Sequence, residues 1–139
     1  MNAFWWAVLT ACIWGVVPVI EKLGLHRSEP TVGVFARSVG VVIGMVILGI
    51  VWSPWKALGS LSTHSFALLA LGGFLASVVG QLAFYHALKV GQLSQVTPLA
   101  GAYPLVAALL SWWWLREPMT PARLLGVLFV VSGIVLLRR

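Results

Sequence analysis

Residues 31–52 read TVGVFARSVGVVIGMVILGIVW, 22 residues holding a single charge, Arg37, and no proline. An α-helix rises 1.5 Å per residue and the hydrocarbon core of a bilayer is about 30 Å thick, so roughly 20 apolar residues cross it. This stretch has the length and composition of a membrane-spanning helix. Just ahead of it, Ser28-Glu29-Pro30-Thr31 supplies capping side chains and a proline suited to a helix start.

The same pattern repeats in both directions. Upstream, residues 3–23 form an apolar run that Gly24 is placed to end. Downstream, Ser53-Pro54-Trp55-Lys56 and Gly59-Ser60 break the chain, and Ser62 or Thr63 caps a third run over 64–88. Gly91 closes that run, and a fourth covers 94–115. Arg116-Glu117-Pro118 makes a polar turn, then Thr120-Pro121 opens a fifth run over 121–137. The expected fold is an all-α integral membrane protein of five transmembrane helices, one domain over residues 1–139 with no soluble part.

Composition agrees. Hydrophobic residues make up 60% and charged residues 9%, and the mean hydropathy is +1.00, whereas soluble domains are about 45–50% apolar and about 25% charged. The net charge of +6 does not point to nucleic acid, because the basic residues are scattered singly between apolar runs. Basic loops beside anionic headgroups account for it better. Cys12 stands alone, so neither a disulfide framework nor a metal site is expected. The first run lacks a basic leader and is long enough to span, so it reads as a helix rather than a signal peptide. No cofactor is expected, and no nucleophile–base pair or phosphate-binding glycine loop suggests an enzyme.

Helices in lipid associate through small residues and a few polar contacts. Gly33, Gly40 and Gly44 share a face of the second span, and Gly73, Ser77 and Gly80 a face of the third. Thr97, Gly101, Ala108 and Ser111 line the fourth, and Gly126 and Gly133 the fifth. Helix packing is the expected role of these glycines. Lys56, Arg116 and Arg123 lie on the N-terminal side; Lys22, Arg27, Arg37, Lys89, Arg138 and Arg139 lie on the other. The positive-inside rule then favours a cytoplasmic C-terminus in a cell (plasma or inner) membrane, with dual insertion open. Seven of the eight tryptophans fall on the N-terminal side as an interfacial belt.

From Ala87 to Leu137 the chain resembles the second part of an EamA domain of the drug/metabolite transporter superfamily. The resemblance rests on Ala87-Leu88-Lys89, on Thr97-Pro98 and Tyr103-Pro104, and on Leu115-Arg116-Glu117 with Thr120, Leu125-Gly126 and Ser132-Gly133. Trp14-Gly15 and Arg37 extend it towards the N-terminus. It implies a prokaryotic transporter of which most relatives carry two inverted five-helix units per polypeptide. With one unit here, an antiparallel homodimer or a pairing with a half-size homologue is expected, since inverted-repeat transporters hold solute between repeats.

Polar residues at membrane depth are costly and are candidate sites. Trp14, Pro18 and Glu21 share a face of the first span. Glu21 is a carboxylate for a cationic group or a proton, or an interfacial charge beside Lys22. Arg37, about 10 Å along its helix from Pro30, serves an anionic solute, pairs with Glu21, or snorkels to the headgroups. Gln81 and Tyr85 lie at i and i+4 with His86 alongside, and Gln81 needs a partner from a neighbouring helix or a solute. Thr97 and Tyr103 are the candidates of the fourth span, where Pro98 and Pro104 can kink the helix. Small multidrug-resistance proteins of the same superfamily use a glutamate deep in their first span. No carboxylate stands at the midplane here, which speaks against that exchange mechanism. The leading expectation is a transporter exporting small polar or amphipathic metabolites by alternating access. A lipid-carrier flippase subunit and a non-transporting accessory protein are the alternatives.

Overall fold

Asn2 starts the first helix by accepting a hydrogen bond from the Trp5 backbone N–H at 3.3 Å, which satisfies one of the donors that every helix leaves open at its N-terminus. A computed structural model describes residues 2–137; Arg138 and Arg139, which entered the charge asymmetry, lie outside the described residues. All regular structure among the described residues is helical. Helix α1 spans Ala3–Gly24 with Pro18 inside it. Helix α2 spans Pro30–Trp52, its proline in the first turn where a missing N–H costs nothing.

Ser53 ends α2 in a left-handed conformation (φ 44°) and returns its N–H to the Gly49 carbonyl at 3.1 Å. The break expected after it contains a short helix, α3, Trp55–Gly59. Its Trp55 ring lies on Gly49 so closely that a Cβ there would stand 2.7 Å from the ring. The third long helix begins behind the Ser62 side chain, which accepts from the Ser65 N–H at 3.1 Å. It runs as α4, Thr63–Phe74, a π-helical turn, Leu75–Gly80, and α5, Gln81–Val90. The π turn corrects the face drawn through Gly73, Ser77 and Gly80. That alignment assumes 3.6 residues per turn, and the wider turn shifts everything after it.

The helices group into two compact units that part between Val90 and Gly91. In the first, α2 packs against α5. The second contains α6, Leu93–Ala100, α7, Tyr103–Trp114, and α8, Pro121–Leu137, with α6 against α8. The fourth expected span is interrupted at Gly101-Ala102 rather than only kinked. Pro104 has no N–H to give back along the helix, and the chain instead closes turns from Gly101 N–H to Thr97 and from Leu105 N–H to Ala102.

Four helical stretches are long and apolar enough to cross a membrane: Ala3–Gly24, Pro30–Trp52, Thr63–Val90 and Leu93–Trp114. The fifth expected span, α8, is a shorter apolar helix of 17 residues, about 25 Å at 1.5 Å per residue. Few side chains are buried. Leu25, Val34, Tyr85 and Leu88 form the hydrophobic core among the described residues, while Phe35 and Phe129 stand outward. Apolar surface turned outward on helices of this length suits lipid as the surrounding solvent.

Candidate functional site

Glu21 occupies the last turn of α1, three residues before Gly24. Three donors converge on a single oxygen of its carboxylate. Gln81 donates from Nε2 to Oε1 at 3.0 Å and Tyr85 from its hydroxyl at 2.9 Å. Arg37 of α2 forms an ion pair through Nε with the same oxygen at 3.4 Å. Gln81 and Tyr85 are one α-helical turn apart immediately after the π turn, which places both donors on one side of α5. The amide that needed a partner finds it on α1, and the pairing of Arg37 with Glu21 is made.

Local packing explains how α2 and α5 come close enough. Gly33 has no side chain where α2 meets α5. A Cβ there would stand 2.6 Å from Leu25 Cδ2 and 2.9 Å from Tyr85 Cε2. The Tyr85 ring, 3% exposed, is therefore held between the α2 backbone at Gly33 and its own bond to Glu21. Each hydrogen bond to the charged carboxylate contributes about 1.5–3 kcal/mol. The charges of Glu21 and Arg37 offset one another, which lowers the cost of keeping both inside a spanning helix.

A cavity of about 290 Å³ opens on this cluster, lined by Glu21, Ser28, Gly33, Arg37 and Tyr85 among others. Nη1 of Arg37 is buried and has no hydrogen-bond partner among the described residues. The site thus offers a guanidinium edge to a small polar group, beside a carboxylate already saturated on one oxygen. Glu21 lies three residues before the end of α1, and Arg37 seven residues after the start of α2.

The other candidates lie elsewhere. Trp14 is more than half exposed and does not line this cavity, and His86 is exposed beside Tyr85. Thr97 and Tyr103 belong to the second unit, where the Thr97 hydroxyl is buried without a hydrogen-bond partner among the described residues. Of the packing glycines, Gly33 meets a neighbouring helix, whereas Gly80 and Gly101 face carbonyls of their own chain segment at 3.1 Å. At Gly40, Gly44, Gly73, Gly126 and Gly133 an added Cβ would meet nothing within 4 Å among the described residues.

Two lysines have a role that the sequence reading, which treats them as loop charges, does not include. Lys22 Nζ on α1 donates to the Leu88 carbonyl of α5. In return Lys89 Nζ on α5 donates to the carbonyls of Leu25 at 3.1 Å and Ser28 at 2.8 Å. Lys22 thus satisfies a carbonyl in the last turn of α5, and Lys89 two carbonyls of the segment that follows α1. Their position in the last helical turn is the available signal. In the second unit, a cavity of about 490 Å³ is lined by Ser111, Trp112, Glu117 and Arg123, with Arg123 tied to the Pro118 carbonyl at 2.9 Å. Among the described residues no three His, Cys, Asp or Glu side chains gather as metal ligands would.

The chain is thus an apolar helical one with an ion pair facing a cavity, and it is similar to known proteins along its length. The chain is 27% identical over 139 residues to an uncharacterised transporter from the cobO 3′ region of Sinorhizobium sp., covering 99% of this chain and 98% of that one. It is 26% identical over 134 residues to an uncharacterised protein of Methanocaldococcus jannaschii, covering 94% and 91% respectively. No solved structure matches. The EamA-like transporter family matches residues 1–139 from end to end, and the chain belongs to that family of membrane transporters.

Proposed function

We propose that this chain is one half of a two-unit transporter that moves small polar or amphipathic metabolites, outwards, by alternating access. The observation that carries the reading is the Glu21–Arg37–Gln81–Tyr85 cluster beside its cavity. Charged and amide groups within spanning helices are expensive in a membrane and are seldom kept without a use. Arg37 Nη1 takes the anionic or hydrogen-bond-accepting part of the solute, and the cluster acts at one mouth of the pathway. In this reading α8 is the fifth crossing, tilted little because it is short. Five crossings put the termini on opposite sides, with the C-terminus cytoplasmic in a prokaryotic inner membrane. A second copy, inserted antiparallel, then supplies the other half of the solute chamber. The open faces at Gly40, Gly44, Gly126 and Gly133 support a partner of this sort, because small residues let another backbone approach.

Reconstituted protein tests the proposal. Proteoliposomes are loaded with labelled amines, carboxylates, zwitterions and phosphate esters, and efflux is followed for the wild type and for Arg37→Gln. Efflux of at least one class, reduced tenfold or more by Arg37→Gln, is the expected result. Absence of flux for every class, with the variant indistinguishable in binding, would favour the accessory role and sink the transport reading.

A further inference from the structure

At the end of the first unit, beyond the Glu21 cluster, another cavity of about 660 Å³ is lined by Lys22, His26, Arg27 and Lys89, with Leu23, Leu25 and Leu88. No carboxylate lines it. Glu21 turns to its own cavity and three donors, and Glu29, the N-cap of α2, is outside the lining. The ammonium groups of Lys22 and Lys89 are held by backbone carbonyls. The partners of Lys89 are neutral, so they fix that lysine in position without cancelling its charge. Arg27 is exposed, and its side chain makes no hydrogen bond or ion pair among the described residues. Its guanidinium fork is the geometry that suits a phosphate.

The cavity sits where α1 ends at Gly24 and α5 ends at Val90, two helix ends that lie side by side. Beside the cations, Leu23 is 74% and Val90 89% exposed. Concentrated positive charge next to outward aliphatic surface, at the boundary of the hydrocarbon region, matches a phosphate with acyl chains attached. A free phosphate ion would use the cations and leave the leucine and valine without a partner. We infer that this cavity is a specific site for an anionic phospholipid, with Arg27 and the two lysines on the headgroup phosphate and Leu23 and Val90 against the chains.

The test uses the full-length chain in a neutral detergent, with binding of phosphatidylglycerol and phosphatidylcholine of matched chains followed by native mass spectrometry. Phosphatidylglycerol is expected to bind saturably at one site per chain, at least fivefold tighter than phosphatidylcholine. Arg27→Gln lowers that affinity about fivefold, the value of one cation near an anionic headgroup. Lys56→Gln, a cation on α3 remote in sequence, leaves it unchanged. Equal binding of the two lipids overturns the inference, as does a loss with Lys56→Gln equal to that with Arg27→Gln. Displacement of the lipid by millimolar inorganic phosphate also overturns it and assigns the site to a soluble anion instead.

Discussion

Replacing Gly33 with alanine tests whether the contact between α2 and α5 holds the site. The added methyl would stand 2.6 Å from Leu25 Cδ2 and 2.9 and 3.0 Å from two carbons of the Tyr85 ring. The leucine methyl lies at the end of a flexible side chain and can turn aside. The tyrosine cannot, because its hydroxyl is bound to Glu21 at 2.9 Å and its ring is buried. Either α2 withdraws by several tenths of an ångström or the hydroxyl leaves the carboxylate. Overpacking of this kind costs about 1–3 kcal/mol. Alanine recovers about 0.5–1 kcal/mol of that through its better helix propensity. The net expectation is a loss of about 0.5–2 kcal/mol. Gly15→Ala is the control: nothing lies within 4 Å of its new methyl, so only the propensity gain remains. Unfolding in mixed micelles by titration with sodium dodecyl sulfate, read by tryptophan fluorescence, compares the two. If Gly33→Ala proved as stable as Gly15→Ala, the close approach at Gly33 would not be what seats Tyr85, and the packing argument fails.

Three further outcomes follow from the geometry. Tyr85→Phe removes one hydrogen bond to the Glu21 carboxylate and should cost about 1.5–3 kcal/mol in the same unfolding titration; a change near zero would mean that water replaces the hydroxyl freely. Glu21→Gln and Arg37→Gln should each destabilise more than half as much as the double variant, giving a coupling energy of about 0.5–3 kcal/mol in a double-mutant cycle, whereas simple additivity would show that the ion pair contributes nothing. Lys89→Met should speed amide hydrogen exchange at Leu25 to Ser28 several-fold while leaving exchange in α7 unaltered; uniform exchange across the chain would deny the lysine its role as a tie.

The helical, membrane-crossing character is legible in the sequence because lipid imposes a length. A run such as residues 31–52 has few other ways to satisfy its backbone. That Gln81 needs a partner is legible for a related reason, since an amide among apolar residues has few to choose from, but the sequence leaves open whether a helix or a solute supplies it. What the sequence hides depends on backbone detail. The π turn over Leu75–Gly80 uses residues that fit an α-helix equally well, so composition carries no mark of it. Small residues show which helix face another chain can approach, but not whether one does: Gly33 and Gly40 look alike in sequence, and of the two only Gly33 is approached. The reciprocal ties of Lys22 and Lys89 need the distance between two helix ends, which no local pattern encodes.

The π turn also acts as an angular offset. One residue of surplus rotates everything beyond it by about 100°, the angle that a single residue subtends at 3.6 per turn. Gln81 and Tyr85 face Glu21 with that surplus stored at Leu75–Gly80. Were the same segment wound as a regular α-helix, both donors would point a quarter-turn or more away from α1 while every backbone hydrogen bond was kept. The bearing of the site is therefore set by the winding over Leu75–Gly80, and a one-residue deletion there would remove the surplus and leave Gln81 and Tyr85 facing Glu21.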